Sequence, residues 1–463
     1  MFSAITRGGC SILLKTDEAH DSLETGRYRW VVSVLLMGGG SINLEARLIV
    51  FALVPLMRRD LGLTNVQTAA LMTVFLWTYA VCSPLAGYIG DRFSRRRVVI
   101  GSLAGSSAAM LVAAAAGSTG RILASRVLLG LVQGFYIPAS MAILADYNPR
   151  GSRGRVLALV TAGISVGPTL WGAAAGWVGG HYGWRAALVG FAAFGALYCM
   201  ILVRWLRDIP PGASDTPGIA TAGPPPSFVV ALDHLSHIPS FLCLGLVSGI
   251  AALAIWMLNT WLPVFLYETF KMTLAQSGFF GNLALTGASL TGALGGGFLS
   301  DLVGARQPPR RMLLFAVFLA LAAPFPLVFW KAGSATIALG ATAAFMVFRS
   351  LGESNWHPVM FDLVRPEMRS TATGVTNAFN CLMGGAGALV AGYYKASLGL
   401  QAVFGLVAFA IAFAAAVLCL AYFIFLKQDL QRAGLTAGAG EVPAEQAACG
   451  PPARQGAERG RSA

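Results

Sequence analysis

Charge is scarce in this chain. Only 11% of its 463 residues are Asp, Glu, Lys or Arg, 56% are hydrophobic, and the mean hydropathy is +0.67. A soluble domain carries about 25% charged residues, so a water-dissolved fold is excluded. Cysteines are few, and Cys10, Cys82, Cys199, Cys243, Cys381, Cys419 and Cys449 show no CxxC pair and no ligand spacing. No disulfide framework, metal site or cofactor is expected. The chain also lacks a Walker loop after a strand, a His/Glu metal motif and a nucleophile elbow, which leaves ATP-driven and enzymatic chemistry without support. Alternating polarity is missing as well: residues 404–418 contain no polar side chain, which argues against a β-barrel. Acidic residues are outnumbered, 20 against 33 basic, for a net charge of +13. The basic residues fall in brief runs between apolar segments, a pattern of membrane orientation rather than of nucleic-acid binding. Residues 1–26 lack the basic-then-apolar order of a cleavable signal, so the N-terminal segment is expected to be retained.

What is present is apolar length. Runs separated by Gly, Pro or charge predict twelve helices over 28–56, 67–90, 98–117, 121–146, 155–179, 184–206, 239–267, 276–303, 311–330, 335–364, 369–395 and 400–427. Each has about the 20 residues a bilayer crossing needs. The expected class is an all-α membrane protein of two six-helix bundles, 28–206 and 239–427. A cytoplasmic segment, 1–27, precedes them, a Pro-rich linker, 207–238, joins them, and a disordered tail, 428–463, follows. The even-numbered loops and their helix ends carry fourteen arginines, the odd-numbered loops seven basic residues. That asymmetry predicts an inner-membrane protein with both termini cytoplasmic.

The halves repeat. Gly87-Tyr-Ile-Gly-Asp91-Arg92 recurs 210 residues on as Gly297-Phe-Leu-Ser-Asp301-Leu, and Gln133 precedes Pro138 by five positions as Glu353 precedes Pro358. Two related bundles are a transporter architecture with substrate held near the midplane. The run Gly87 to Arg97, with Asp91, Arg92, Arg95, Arg96 and Arg97, resembles the loop 2–3 signature G-x-x-x-D-R-x-x-R-R of the major facilitator superfamily. The resemblance implies the major facilitator fold and a gating role for Gly87, Asp91, Arg92, Arg95, Arg96 and Asp301. Asn43-Leu-Glu45-Ala-Arg47, the segment from Arg126 to Gly134, and Thr260-Trp261-Leu-Pro263 resemble the anion:cation symporter branch, which carries organic anions. That branch has Asp where this chain has Ala46, and Glu where it has Gln133. Spinster-like lipid carriers share the style of the first helix and remain an alternative.

A charge at the bilayer centre costs a few to more than ten kcal/mol, which singles out Glu45, Arg47, Arg126, Arg349 and Glu353. Ionised, they sum to one net positive charge, which an anion would balance. Arg47, Arg126 and Arg349 are candidates for gripping it through paired hydrogen bonds, although Arg349 and Glu353, four residues apart, could simply pair with each other. Glu45 and Glu353 are the candidate proton carriers. Tyr79, Gln133, Tyr136, Asn355 and Asn377 are candidate cavity residues, with interhelical hydrogen bonding as the equally weighted alternative. The expectation is a secondary transporter, a monomer in the lipid bilayer, moving a small-molecule anion with protons by alternating access. Efflux of amphipathic drugs or lipids, and proton-independent uniport, stay open.

Overall fold

A computed structural model describes residues 5–92, 94–148, 150–207, 228–307, 309–365 and 368–432. Most of the expected linker and all but the first residues of the expected tail lie outside them, as do the side chains of 5–27 and 83–93. Among the described residues there are helices and no strands.

Long apolar stretches become helices because lipid offers the backbone no other hydrogen-bond partner. The first half comprises α1 (Ile5–Leu61), α2 (Asn65–Arg92), α3 (Arg95–Ala114), α4 (Thr119–Gln133, resumed as Tyr136–Tyr147), α5 (Arg150–Tyr182) and α6 (Trp184–Trp205). After a short helix, Phe228–Ser236, the second half comprises α7 (Pro239–Phe270), α8 (Leu274–Asn282 and Ala288–Arg306, joined by a π turn), α9 (Arg310–Ala322 with a 3-10 extension to Lys331) and α10 (Ala335–Glu353, resumed as Trp356–Leu363). The last helix, Arg369–Ile424, is two crossings, α11 and α12, divided where Gly399 takes φ 76°. Among the described residues these helices are consistent with the two pseudo-symmetric six-helix bundles expected from the sequence.

The repeat is written in the helix ends. Thr64 and Gln67 exchange side-chain-to-backbone bonds at the start of α2 (3.0 and 3.2 Å), and Thr273 and Gln276 do the same at the start of α8 (3.1 and 3.2 Å). Such a box satisfies two N–H groups that a helix start leaves unpaired. Ser118 caps α4 as Ser334 caps α10. Gly183, with φ 85°, separates α5 from α6 as Gly399 separates α11 from α12. Both positions need the left-handed backbone that glycine adopts without strain.

The halves meet along two seams, α2 with α11 and α5 with α8. Thr73 Oγ1 donates to the Gly385 carbonyl (2.8 Å) and Trp77 Nε1 to the Leu382 carbonyl (3.1 Å). Asn282 Nδ2, just before the π turn of α8, donates to the Pro168 carbonyl of α5 (2.9 Å). At Gly172, Gly176 and Gly278 the backbones of α5 and α8 come so close that a Cβ would clash with backbone or side-chain atoms opposite. Small residues permit this approach. These contacts all lie in the helix halves next to the odd-numbered loops, here called the closed end. The opposite end carries the even-numbered loops.

Candidate functional site

In the first half, α4 is stitched to α1 by side chains that donate to backbone carbonyls. Arg126, 1% exposed, points one Nη at the Ala46 carbonyl (3.4 Å) and the other at Met110 Sδ of α3 (3.8 Å). Gln133 Nε2 donates to the Asn43 carbonyl (2.6 Å), and Tyr136 Oη to the Leu36 carbonyl (2.9 Å). All three are buried inside the bundle. Glu45 is buried as well, and neither carboxylate oxygen has a hydrogen-bond partner; Asn43 Oδ1 and Nδ2, Gln133 Oε1 and Arg126 Nε are likewise unpartnered. Glu45 shares a face of α1 with Gly38 and Ile42, which meet Tyr198 and Gly195 of α6. This core therefore holds ionisable groups without forming an ion pair between Glu45 and Arg126.

Arg47 is two residues from Glu45, about 200° round the helix, and it faces the seam. Its guanidinium lies 5.4 Å from the Phe75 ring and 5.5 Å from the Tyr79 ring of α2. Cys381 of α11 lies within its electrostatic reach. Among the described residues no carboxylate pairs with Arg47. One turn from Cys381 along α11 stands Asn377, half-buried, and Asn380 accepts from Ser248 Oγ of α7 (2.8 Å). Arg47 and Tyr79 thus stand near Cys381 of α11, and Asn377 lies one turn from Cys381 on that helix.

In the second half Arg349 and Glu353 form an ion pair with each other along α10. Arg349 is buried and also donates to Ser350 Oγ (3.0 Å), whereas the Glu353 side chain is 46% exposed. Asn355 sits at the break of α10 and donates to the Leu351 and Gly352 carbonyls (3.3 and 3.1 Å), closing the turn that the break leaves open.

Of the gate residues, Gly87, Asp91 and Arg92 occupy the last turns of α2, with side chains outside the described residues. Arg95 pairs with Asp146 at the far end of α4, and Arg96 donates to the Val203 carbonyl of α6. Asp301 is exposed on α8. The second half has its own version of the first contact, Arg311 with Asp362 (3.6 Å), which sequence reasoning missed. The signal was available: Arg95 and Arg311, Asp146 and Asp362, Ser118 and Ser334, and Gly183 and Gly399 all stand 216 residues apart. At the closed end, sequence reasoning also missed Glu268. It bridges Arg58 of α1 (2.9 Å) and Lys395 of α11 (2.7 Å), beside a cavity of 260 Å³ lined by Phe265, Thr269 and Gln401.

Comparison with known proteins places this geometry. The family model described as Major Facilitator Superfamily matches residues 31–388. The protein spinster of Drosophila melanogaster is 26% identical over 383 residues, which is 78% of this chain but 61% of that protein. The chain thus spans about three fifths of that relative's length. The voltage-gated purine nucleotide uniporter of Homo sapiens is 25% identical over 356 residues, 74% of this chain and 80% of the relative. Among solved structures, a bacterial homolog of the human lysosomal transporter Spinster, inward-facing and unoccupied, superposes with a TM-score of 0.77 at 21% identity. That match covers 86% of this chain and 98% of the other.

Proposed function

For a chain that belongs to the Major Facilitator Superfamily, a family of membrane transporters, we propose alternating-access transport of a small organic anion gripped at Arg47, with proton symport. The observation that carries the proposal is the placement of Arg47. It is a guanidinium inside the membrane-spanning region, stacked on Phe75 and Tyr79 at the seam between the halves, and no described carboxylate neutralises it. A charge held there is costly unless an anion shares it, and a guanidinium suits carboxylate or phosphate through two parallel hydrogen bonds. Aromatic faces hold the cation in place between transport cycles. Asn377 is the contact from the second half, so that bound anion touches both bundles and its occupancy can bias their rocking. Arg126, Gln133 and Tyr136 act in this reading as the rigid backing of α1.

The human relative's name gives its cargo as a purine nucleotide, itself an anion, which supports the choice of substrate class. Glu353 is the proposed proton carrier: its side chain is about half exposed, and protonating it would release Arg349. The proposed orientation puts the even-numbered loops and both termini in the cytoplasm, with the closed end outward.

A second reading, uniport without protons, is favoured by one observation. Gln133 and Ala46 occupy positions where proton-coupled relatives of the anion:cation branch carry carboxylates. Proteoliposomes containing a pH dye, given a panel of organic anions, separate the readings. Anion entry with internal acidification, abolished by Arg47→Gln, supports symport. Entry without a pH change selects uniport, and anion entry undiminished in Arg47→Gln rejects the anion site.

A further inference from the structure

A second arginine cluster stands away from the seam, where α1, α3 and α6 end opposite the closed end. Tyr28 Oη donates to the Trp205 carbonyl and accepts from the Arg207 backbone N–H (3.1 Å). Tyr147 Oη, at the end of α4, donates to the Arg207 carbonyl (3.1 Å). The chain leaving α6 is thereby pinned to α1 and α4. On this frame three guanidinium groups lie over aromatic rings: Arg207 over Tyr28 (5.0 Å), Arg204 over Trp205 (5.8 Å) and Arg29 over Trp30 (5.9 Å). Arg96 of α3 adds a fourth, bound to the Val203 carbonyl. The Nε atoms of Arg29 and Arg96 are buried without a hydrogen-bond partner.

Among the described residues the cluster has four guanidinium groups and no counter-charge. Arg58, Arg95, Arg185, Arg311 and Arg349 each pair with a carboxylate. Among the described residues none pairs with Arg29, Arg96, Arg204 or Arg207. Orientation in a membrane requires positive charge here, but it does not require guanidinium groups anchored on tyrosine and tryptophan with donors left open. Trp30 and Trp205 are about half exposed, the placement of aromatic residues at headgroup level. Val34 of α1 and Met200 and Val203 of α6 present exposed apolar surface immediately on the membrane side of the arginines.

We propose that the ends of α1, α3 and α6 form a binding site for the phosphate of an anionic phospholipid, with Arg29, Arg204 and Arg207 on the headgroup and the apolar ledge of α1 and α6 against its acyl chains. Basic pockets between membrane helices hold such headgroups. Guanidinium groups suit phosphate because the planar fork matches its oxygens. The ledge distinguishes a lipid from a free phosphate ion, which has no use for it.

The test uses the purified full chain in detergent, with phosphatidylglycerol and phosphatidylethanolamine of identical acyl chains in equal amounts, read by native mass spectrometry. The wild type is expected to retain phosphatidylglycerol preferentially. Arg29→Gln/Arg204→Gln/Arg207→Gln should lower that preference about tenfold, the loss of roughly one charge-assisted hydrogen bond. Arg59→Gln/Arg121→Gln/Lys331→Gln removes the same charge at the opposite end and should leave the preference intact. Inorganic phosphate is added in a parallel thermal-shift series. Stabilisation by phosphatidylglycerol and none by phosphate supports the lipid. Equal stabilisation by phosphate alone, no lipid preference in the wild type, or a preference that survives the first triple variant would each overturn the proposal. Absence of the preference in the wild type overturns the proposal even if that variant does not fold.

Discussion

The two halves place their buried charges in opposite ways. In the first, Glu45 and Arg126 are both sealed in the bundle and do not pair, while Arg47 is turned to the seam. In the second, Arg349 and Glu353 pair along one helix, and the Glu353 side chain is about half exposed. The helices that carry them explain part of the difference. The first segment of α4 has 15 residues before its break, that of α10 has 19, and the segments after the break have 12 and 8. The break is thus one turn further along α10. That extra turn is where Glu353 follows Arg349 at a spacing of four, which places both on one face. The lesson is that pseudo-symmetric helices can diverge in function by moving a break, with the ends left in register.

The comparison can be broken at the seam. Arg47→Gln removes the seam-facing cation, which no described carboxylate pairs, and anion uptake is expected to fall about 10- to 100-fold, the worth of charge-assisted hydrogen bonds. Proteoliposome uptake measures it, with a thermal melt showing the fold intact. Next in size is the contrast between the two carboxylates. Glu353→Gln leaves the buried Arg349 without its partner and should cost about 1–3 kcal/mol. Glu45→Gln breaks no hydrogen bond and removes a buried carboxyl group without a partner, so it should not lower stability. Thermal unfolding of both in one detergent reads the difference, and equal losses would refute the contrast.

The paired latches sharpen the picture. Arg95 and Arg311 are similarly buried, but Asp146 is more buried than Asp362, so Arg95→Gln should destabilise by about 1 kcal/mol and Arg311→Gln by less. A reversed order in unfolding midpoints would show that the burial of the carboxylate does not set the strength of these latches. The smallest expected difference tests where the halves agree. A Cβ at Gly183 or Gly399 meets nothing within 4 Å, so only the positive φ opposes it. Gly183→Ala and Gly399→Ala should each cost about 1 kcal/mol and match each other.

Much of this was legible beforehand for particular reasons. Arg349 and Glu353 could be read as a pair because four residues make one helical turn, and Glu45 and Arg47 as divergent because two do not. Asn355 was legible as an intramembrane polar group but not as the residue that closes the α10 break, since its partners are the carbonyls of its own helix. Arg126 and Gln133 carried no mark of their attachment to α1, because backbone carbonyls are present at every residue and leave no sequence trace.

The amino-acid sequence by itself determined the helices and their repeat. In a bilayer, apolar length and the need to satisfy every backbone group locally leave no other structure. It also determined which few residues would bear charge inside the membrane. Tertiary structure alone decided which of those charges are neutralised, which are walled in and which face the seam. That outcome depends on helix rotation and on where a helix breaks, through packing between segments 80 to 312 residues apart.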